Sequence, residues 1–247
     1  GDYFVNNYRG SYTDVLPSLN LVYDLGGGHR FRLAAAKVMA RPRMDDMRAN
    51  MTPNYSNPCV TPPLPTACGP GGTVQVWSGS GGNPLLQPWR AKELNIAYEW
   101  YGGGATYFSV NGFYKWLDTY IYTRNIGTLT APDNGKGGYV RGVEVSGALE
   151  FGKLTPMLDG FGVLGSVAYT DTSLNPTDSS INPVRIPGLS DWVYNVTGYF
   201  EKGGFQLRAS YRHRSAFKGE VISLYTNLAY TEILPDDQLD AQIGYTF

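Results

Sequence analysis

Two cysteines, two histidines and a few aromatic residues set in polar sequence are what this chain offers for chemistry. Cys59 and Cys68 bracket the Pro-rich stretch CVTPPLPTAC, with no histidine close by to complete a metal site. A disulfide is the natural pairing, because so short a ring closes easily, and it would put the loop in an oxidising place such as a periplasm or cell exterior. Two unlinked loop thiols are the alternative. His29 stands beside a glycine turn and His213 late in an alternating segment; neither has a nucleophile, a ligand spacing or a phosphate loop beside it. Each reads as an exposed histidine. The triplet at 102–104 is Gly-Gly-Gly, but strand-like sequence follows it, so no nucleotide fingerprint forms. The expectation is therefore no enzyme, no metal and no cofactor.

Binding chemistry is better supplied. Tyr55, Trp77 and Trp89 lie in or beside the longest polar segment, residues 42–88. Flat rings of this kind are what sugar faces or apolar ligand bodies stack upon. Trp89 has a second explanation as a membrane-interface residue, since it opens an alternating segment, and Trp116 and Trp192 invite the same explanation. Nine charged residues, Arg30, Arg32, Glu93, Glu99, Glu144, Glu150, Glu201, Arg208 and Arg212, alternate with apolar neighbours. Such residues need a face that lipid cannot reach.

The segments that carry these residues are two-faced at a period of two. In ELNIAYEWY (residues 93–101), Leu94, Ile96, Tyr98 and Trp100 oppose Glu93, Asn95 and Glu99. Nine such segments are expected as antiparallel strands, at about residues 12–25, 30–40, 89–101, 106–122, 139–151, 161–172, 189–201, 205–217 and 238–247. Composition agrees: 14% aromatic, 17% charged and 31 glycines favour sheet with tight turns over helix bundles. Twenty basic against 21 acidic residues leave a net charge of -1, which removes the long-range attraction expected of a nucleic-acid partner. Nowhere do about 18 apolar residues run together, so a spanning helix is excluded, but a spanning β-barrel is not.

Connections decide between a barrel and a soluble sandwich. Very short turns at 26–28, 102–104 and 202–204, and a slightly longer link at 155–160, alternate with long polar segments at 42–88, 123–138, 174–188 and 218–235. Outer-membrane barrels show this asymmetry, with short periplasmic turns and long extracellular loops. The final segment alternates Leu239, Ala241, Ile243, Tyr245 and Phe247 with polar or small residues up to its last residue. On this basis the fold class is all-β, a transmembrane antiparallel β-barrel. An odd strand count that starts outside makes it part of a larger barrel, and any signal peptide or earlier domain is expected upstream of Gly1.

These stretches resemble the TonB-dependent outer-membrane receptors, specifically the C-terminal part of their barrel. YTDVLPSLNL (12–21), LAAAKVMARP (33–42), GNPLLQPWRAKELNIAYEWY (82–101), VRGVEVSGAL (140–149), DGFGVLGSVAYTDTS (159–173), residues 186–215 and the closing LDAQIGYTF occur in the expected order. The style is similar to a proteobacterial subgroup associated with carbohydrate uptake. The resemblance implies that residues 1–247 are about the last nine strands of a barrel of about 22, with the plug, the TonB box and the earlier strands outside this chain. It implies an active-transport receptor in the bacterial outer membrane with a periplasmic C-terminus. Its implied partners are the TonB complex, outer-membrane lipid and lipopolysaccharide, the barrel-assembly machinery and a small-molecule or oligosaccharide ligand. Leu239, Ile243, Tyr245 and Phe247 match the family's assembly signal, and the nine charged residues would face the lumen and the plug. An oligosaccharide is the expected cargo, a ferric siderophore the alternative, and a soluble extracellular β-sandwich binding module the rival fold.

Overall fold

Sequence that alternates greasy and wet side chains can keep both sets in suitable surroundings only when extended, and the computed structural model is built almost wholly from such strands. It describes residues 7–56, 76–126, 129–174, 185–224 and 227–247. In chain order the strands are β1 (Ser18–Gly26), β2 (His29–Ala40), β3 (Met51–Ser56), β4 (Val76–Gly81), β5 (Trp89–Tyr101), β6 (Tyr107–Ile126), β7 (Leu129–Lys136), β8 (Gly138–Glu150), β9 (Phe161–Leu174), β10 (Trp192–Lys202), β11 (Phe205–Arg214), β12 (Phe217–Leu224), β13 (Asn227–Ile233) and β14 (Asp236–Tyr245). Among the described residues no helix is long and apolar enough to cross a membrane.

Nine of these strands pair antiparallel in the order β1-β2-β5-β6-β8-β9-β10-β11-β14, and they are the nine expected from alternation. The first is shorter than expected. Pro17 cannot donate to the ladder, and Asp14 is drawn away to Arg90, so pairing starts at Ser18. Five short strands fall in segments expected as loops: β3 pairs with β4, β4 runs parallel to β7, β7 pairs with β6, and β12 pairs with β13. Their sequences lack a continuous apolar face, and β3 and β7 contain Pro53 and Pro132, so periodicity does not reveal them.

Register sorts the side chains into two faces. One row, Leu21–Leu33–Ile96–Gly112–Val143–Tyr169–Trp192, crosses seven strands without a charge. The face that carries it is uncovered: Leu21 is 51% exposed, Ile96 53% and Ile243 69%. In water each Å² of such surface would cost about 25 cal/mol, so a face this large needs an apolar surrounding. Aromatic pairs mark its two edges, with Tyr114 against Trp116 (4.3 Å between centroids) and Tyr169 against Trp192 (4.8 Å) toward the long connections, and Phe161 against Phe200 (4.5 Å) beside the tight turns.

The opposite face carries an unbroken polar row, Asp24–Arg30–Glu99–Ser109–Ser146–Ser166–Asn195–Arg212–Gln238, through all nine strands. It starts next to the Gly26–Gly28 turn on β1 and β2. On β11 and β14 it lies at the other end, two residues from Arg214 and two from Asp236. The strands are therefore strongly staggered. Tight turns are set by glycine: the β10–β11 hairpin turns on Gly203 and Gly204 at φ 60° and 79°, the positive pair that a two-residue type I′ loop needs.

Candidate functional site

All nine charged residues singled out in the sequence sit on the polar face. Arg30 lies opposite Glu99, Asn111 opposite Glu144, and Tyr199 opposite Arg208. Most are held by a neighbour on an adjacent strand. Arg32 Nε donates to Glu99 Oε1 at 2.8 Å, Lys115 meets Glu93 at 3.2 Å, and Arg30 meets Asp24 at 3.3 Å. Asn111 donates to Glu144 at 3.4 Å, Gln206 to Glu201 at 3.1 Å, and Arg212 to Gln238 at 2.9 Å. Glu150 accepts the Ala105 N–H at 3.2 Å and faces Lys153 at 3.5 Å. Arg208 has no such partner among the described residues and, with Tyr199 and Glu201, lines a recess of about 600 Å³ beside the tight turns.

At the other end of the same face the long connections build a small core. Tyr120 is fully buried, and Tyr122 and Leu174 nearly so, with Trp89, Leu117 and Ile186 packed around them. Leu86 and Pro88 are buried too; burying a leucine completely contributes about 2 kcal/mol. Gly135 makes this packing possible, because a Cβ there would stand 2.2 Å from Tyr120 Cζ. The Tyr120 hydroxyl is buried without a hydrogen-bond partner among the described residues, and burial pushes its pKa up to about 12.

A clamp closes over the start of β5. Arg90 Nε and Nη2 donate to the two oxygens of Asp14 at 2.8 and 2.9 Å, a forked geometry that tethers the segment before β1 across the end of β2. The Arg90 guanidinium holds the Asp14 carboxyl below the usual carboxylate range, and Tyr12 lies 5.7 Å from the guanidinium carbon. On the far side Arg185 pairs with Asp191, while Arg214 stacks on Phe217 at 3.8 Å and donates to the Gly188 carbonyl at 2.6 Å.

The three aromatic residues proposed for ligand contact divide two to one. Tyr55 and Trp77 are direct cross-strand partners in the β3–β4 hairpin, with Tyr55 46% exposed. Trp89 stands apart from them: alternation sets it on the face of Glu93 and Glu99, and its ring packs 6.1 Å from that of Tyr120, away from the apolar edge. Trp116 and Trp192 are exposed on the apolar face. Cys59 and Cys68 lie outside the described residues. The buried cluster and the Asp14–Arg90 clamp were missed from sequence, since their members are far apart in the chain; the TYIY run at 119–122 was the one local signal.

Long staggered antiparallel strands, apolar on one face and ion-paired on the other, with tight turns at one end and folded excursions at the other, define part of a transmembrane β-barrel. The family described as TonB dependent receptor-like, beta-barrel, matches residues 1–247. The chain belongs to this family, which places it in the outer membrane. Its fold is similar to that of the siderophore receptor PirA from Acinetobacter baumannii (TM-score 0.63, 13% identity, 94% of this chain and 34% of that one). It is similar to the ferric enterobactin receptor PfeA from Pseudomonas aeruginosa (0.64, 14%, 94% and 32%) and the ferric citrate transporter FecA (0.63, 14%, 94% and 30%). The chain thus spans about a third of the length of these proteins. A search of curated proteins finds no match.

Proposed function

We propose that residues 1–247 form the C-terminal part of the barrel of an outer-membrane active-transport receptor, energised through TonB, that imports a scarce nutrient without transforming it. The observation that carries this reading is the two-faced sheet itself: a polar, ion-paired face suits a water-filled or plugged lumen, and the uncovered apolar face suits lipid. In this reading the tight turns and the C-terminus are periplasmic, the β3–β4 hairpin and the Tyr120 cluster are extracellular, and the plug and TonB box belong to sequence before Gly1. The polar face, Arg208 above all, is where a plug would dock, and the barrel-assembly machinery would read the last strand.

For the cargo we favour an oligosaccharide, because Tyr55 and Trp77 hold facing positions in the register of β3 and β4, and aromatic residues are what sugar faces stack upon. A ferric siderophore is the second reading, favoured by what PirA and PfeA are described as binding. Titration of the intact receptor with oligosaccharides and with ferric siderophores separates the two. Trp77→Ala should weaken the cognate ligand by about 1–3 kcal/mol while membrane insertion is unchanged. Unchanged affinity for a ligand that binds the parent protein would remove Trp77 from the site.

A further inference from the structure

The connection between β2 and β5 carries the β3–β4 hairpin, six residues a side with Pro53, Gly79 and Gly81 among them. A two-stranded hairpin of this size is marginal in water by itself. Its support comes from another connection. β4 lies parallel to β7, with Gly79 opposite Leu129 and Ser80 opposite Thr130, and the Thr130 hydroxyl donates to the Gly79 carbonyl at 3.4 Å. Only glycine fits this crossing, because a Cβ on Gly79 would meet the Thr52 carbonyl on one side and Leu129 Cδ2, at 3.1 Å, on the other.

The returning arm of the same connection is tied to β7 a second time. Asn134 accepts the Gln87 N–H at 2.8 Å and donates to the Gln87 carbonyl at 2.9 Å, so one side chain satisfies both backbone groups as a neighbouring strand would. Between the two ties the outgoing and returning arms are pinched together, Asn83 N–H on the Asp46 carbonyl at 2.7 Å and Gly82 N–H on the Asn50 carbonyl at 3.3 Å. Thr119, where the β5–β6 register shifts, accepts the Arg90 N–H at 3.0 Å and donates to the Pro88 carbonyl at 2.6 Å. We infer that β7 is the positioning strand of ligand recognition: it fixes the β3–β4 hairpin, and with it the facing positions Tyr55 and Trp77, so that the two connections hold as one unit when ligand arrives. Leu129, Thr130 and Asn134 are its positioning residues, and register is what they control. Because strand positions alternate, a slip of β4 by one residue along β7 would turn every β4 position, Trp77 included, to the opposite face. A hairpin held only at its own base could swing over a ligand; one bonded along β7 cannot swing without breaking these bonds.

The inference rests on the reading of Tyr55 and Trp77 as ligand contacts, and two readouts keep the two apart. In the intact receptor, extracted in detergent, backbone hydrogen exchange is followed by mass spectrometry, and affinity is titrated with a linear glucose heptasaccharide and with ferric enterobactin. L129A/N134A should speed exchange of residues 51–56 and 76–81 at least tenfold and leave β8 and β9 within twofold, while K202Q at the opposite end should change nothing. Probe affinity should fall at least fivefold in L129A/N134A, yet W77A/L129A/N134A should bind no worse than W77A alone, since β7 acts through that position. With Cys59 and Cys68 replaced by serine, closing an S80C/T130C disulfide should leave probe affinity within twofold. Unchanged exchange in L129A/N134A, an additive loss in the triple variant, or binding that vanishes when the disulfide closes and returns on reduction would each overturn the inference. A W77A variant that binds like the parent would overturn the ligand reading instead. Exchange then decides alone whether β7 holds the hairpin, as it does where neither probe binds.

Discussion

Tyr120 shows how much one side chain can report. Its hydroxyl is buried and unpartnered among the described residues, which costs about 1–3 kcal/mol relative to a satisfied group. Tyr120→Phe should therefore hold or raise the heat-modification temperature of the folded barrel, against the usual direction for a core change. The pH dependence has a definite sign. Because the folded pKa is raised to about 12 from about 10, the cluster's contribution is complete below pH 10 and fades as pH rises toward 12. Protease cleavage around residues 119–135 should increase over that window in the parent protein, and a Tyr120→Phe variant that loosens over the same window would sink the assignment to this phenol.

At the level of elements, turn chemistry and the final strand carry the consequences. Gly203→Val forces a β-branched residue into positive φ and should cost about 1–2 kcal/mol in the β10–β11 hairpin, read as a lower yield of folded, inserted protein at unchanged expression. Phe247 is fully exposed, its ring set edge-on to Tyr245 at 5.1 Å, and so contributes little to packing within the sheet. Its deletion should reduce outer-membrane insertion but leave uptake per inserted molecule unchanged; normal insertion with lost uptake would argue the reverse. The nine long strands were legible because each must present one face to lipid and one to polar groups, which imprints a period of two from Leu94 to Trp100 and from Leu239 to Phe247. Nothing comparable acts on β3, β4, β7, β12 and β13. Trp89 carried two explanations for a related reason: opening a strand is compatible with either face, and only the register with Ala40 and the packing on Tyr120 set its ring on the polar side.

Among the described residues the nine long strands form a sheet whose two edge strands are β1 and β14. Backbone groups left unpaired in hydrocarbon cost several kcal/mol each, so this segment expressed by itself should aggregate in detergent and give no heat-modifiable monomer. A stable monomeric pore from residues 1–247 would show that no further strands are needed. The stagger of the strands has its own consequence. The polar row that begins beside a tight turn at Asp24 and Arg30 ends at Arg212 and Gln238, near the opposite end of their strands. Rolled into a cylinder, that row becomes the thread of a screw, climbing most of the wall in eight steps. A charged group rising or descending inside would meet these partners in sequence along the thread, with the next one coming within reach before the last is left behind.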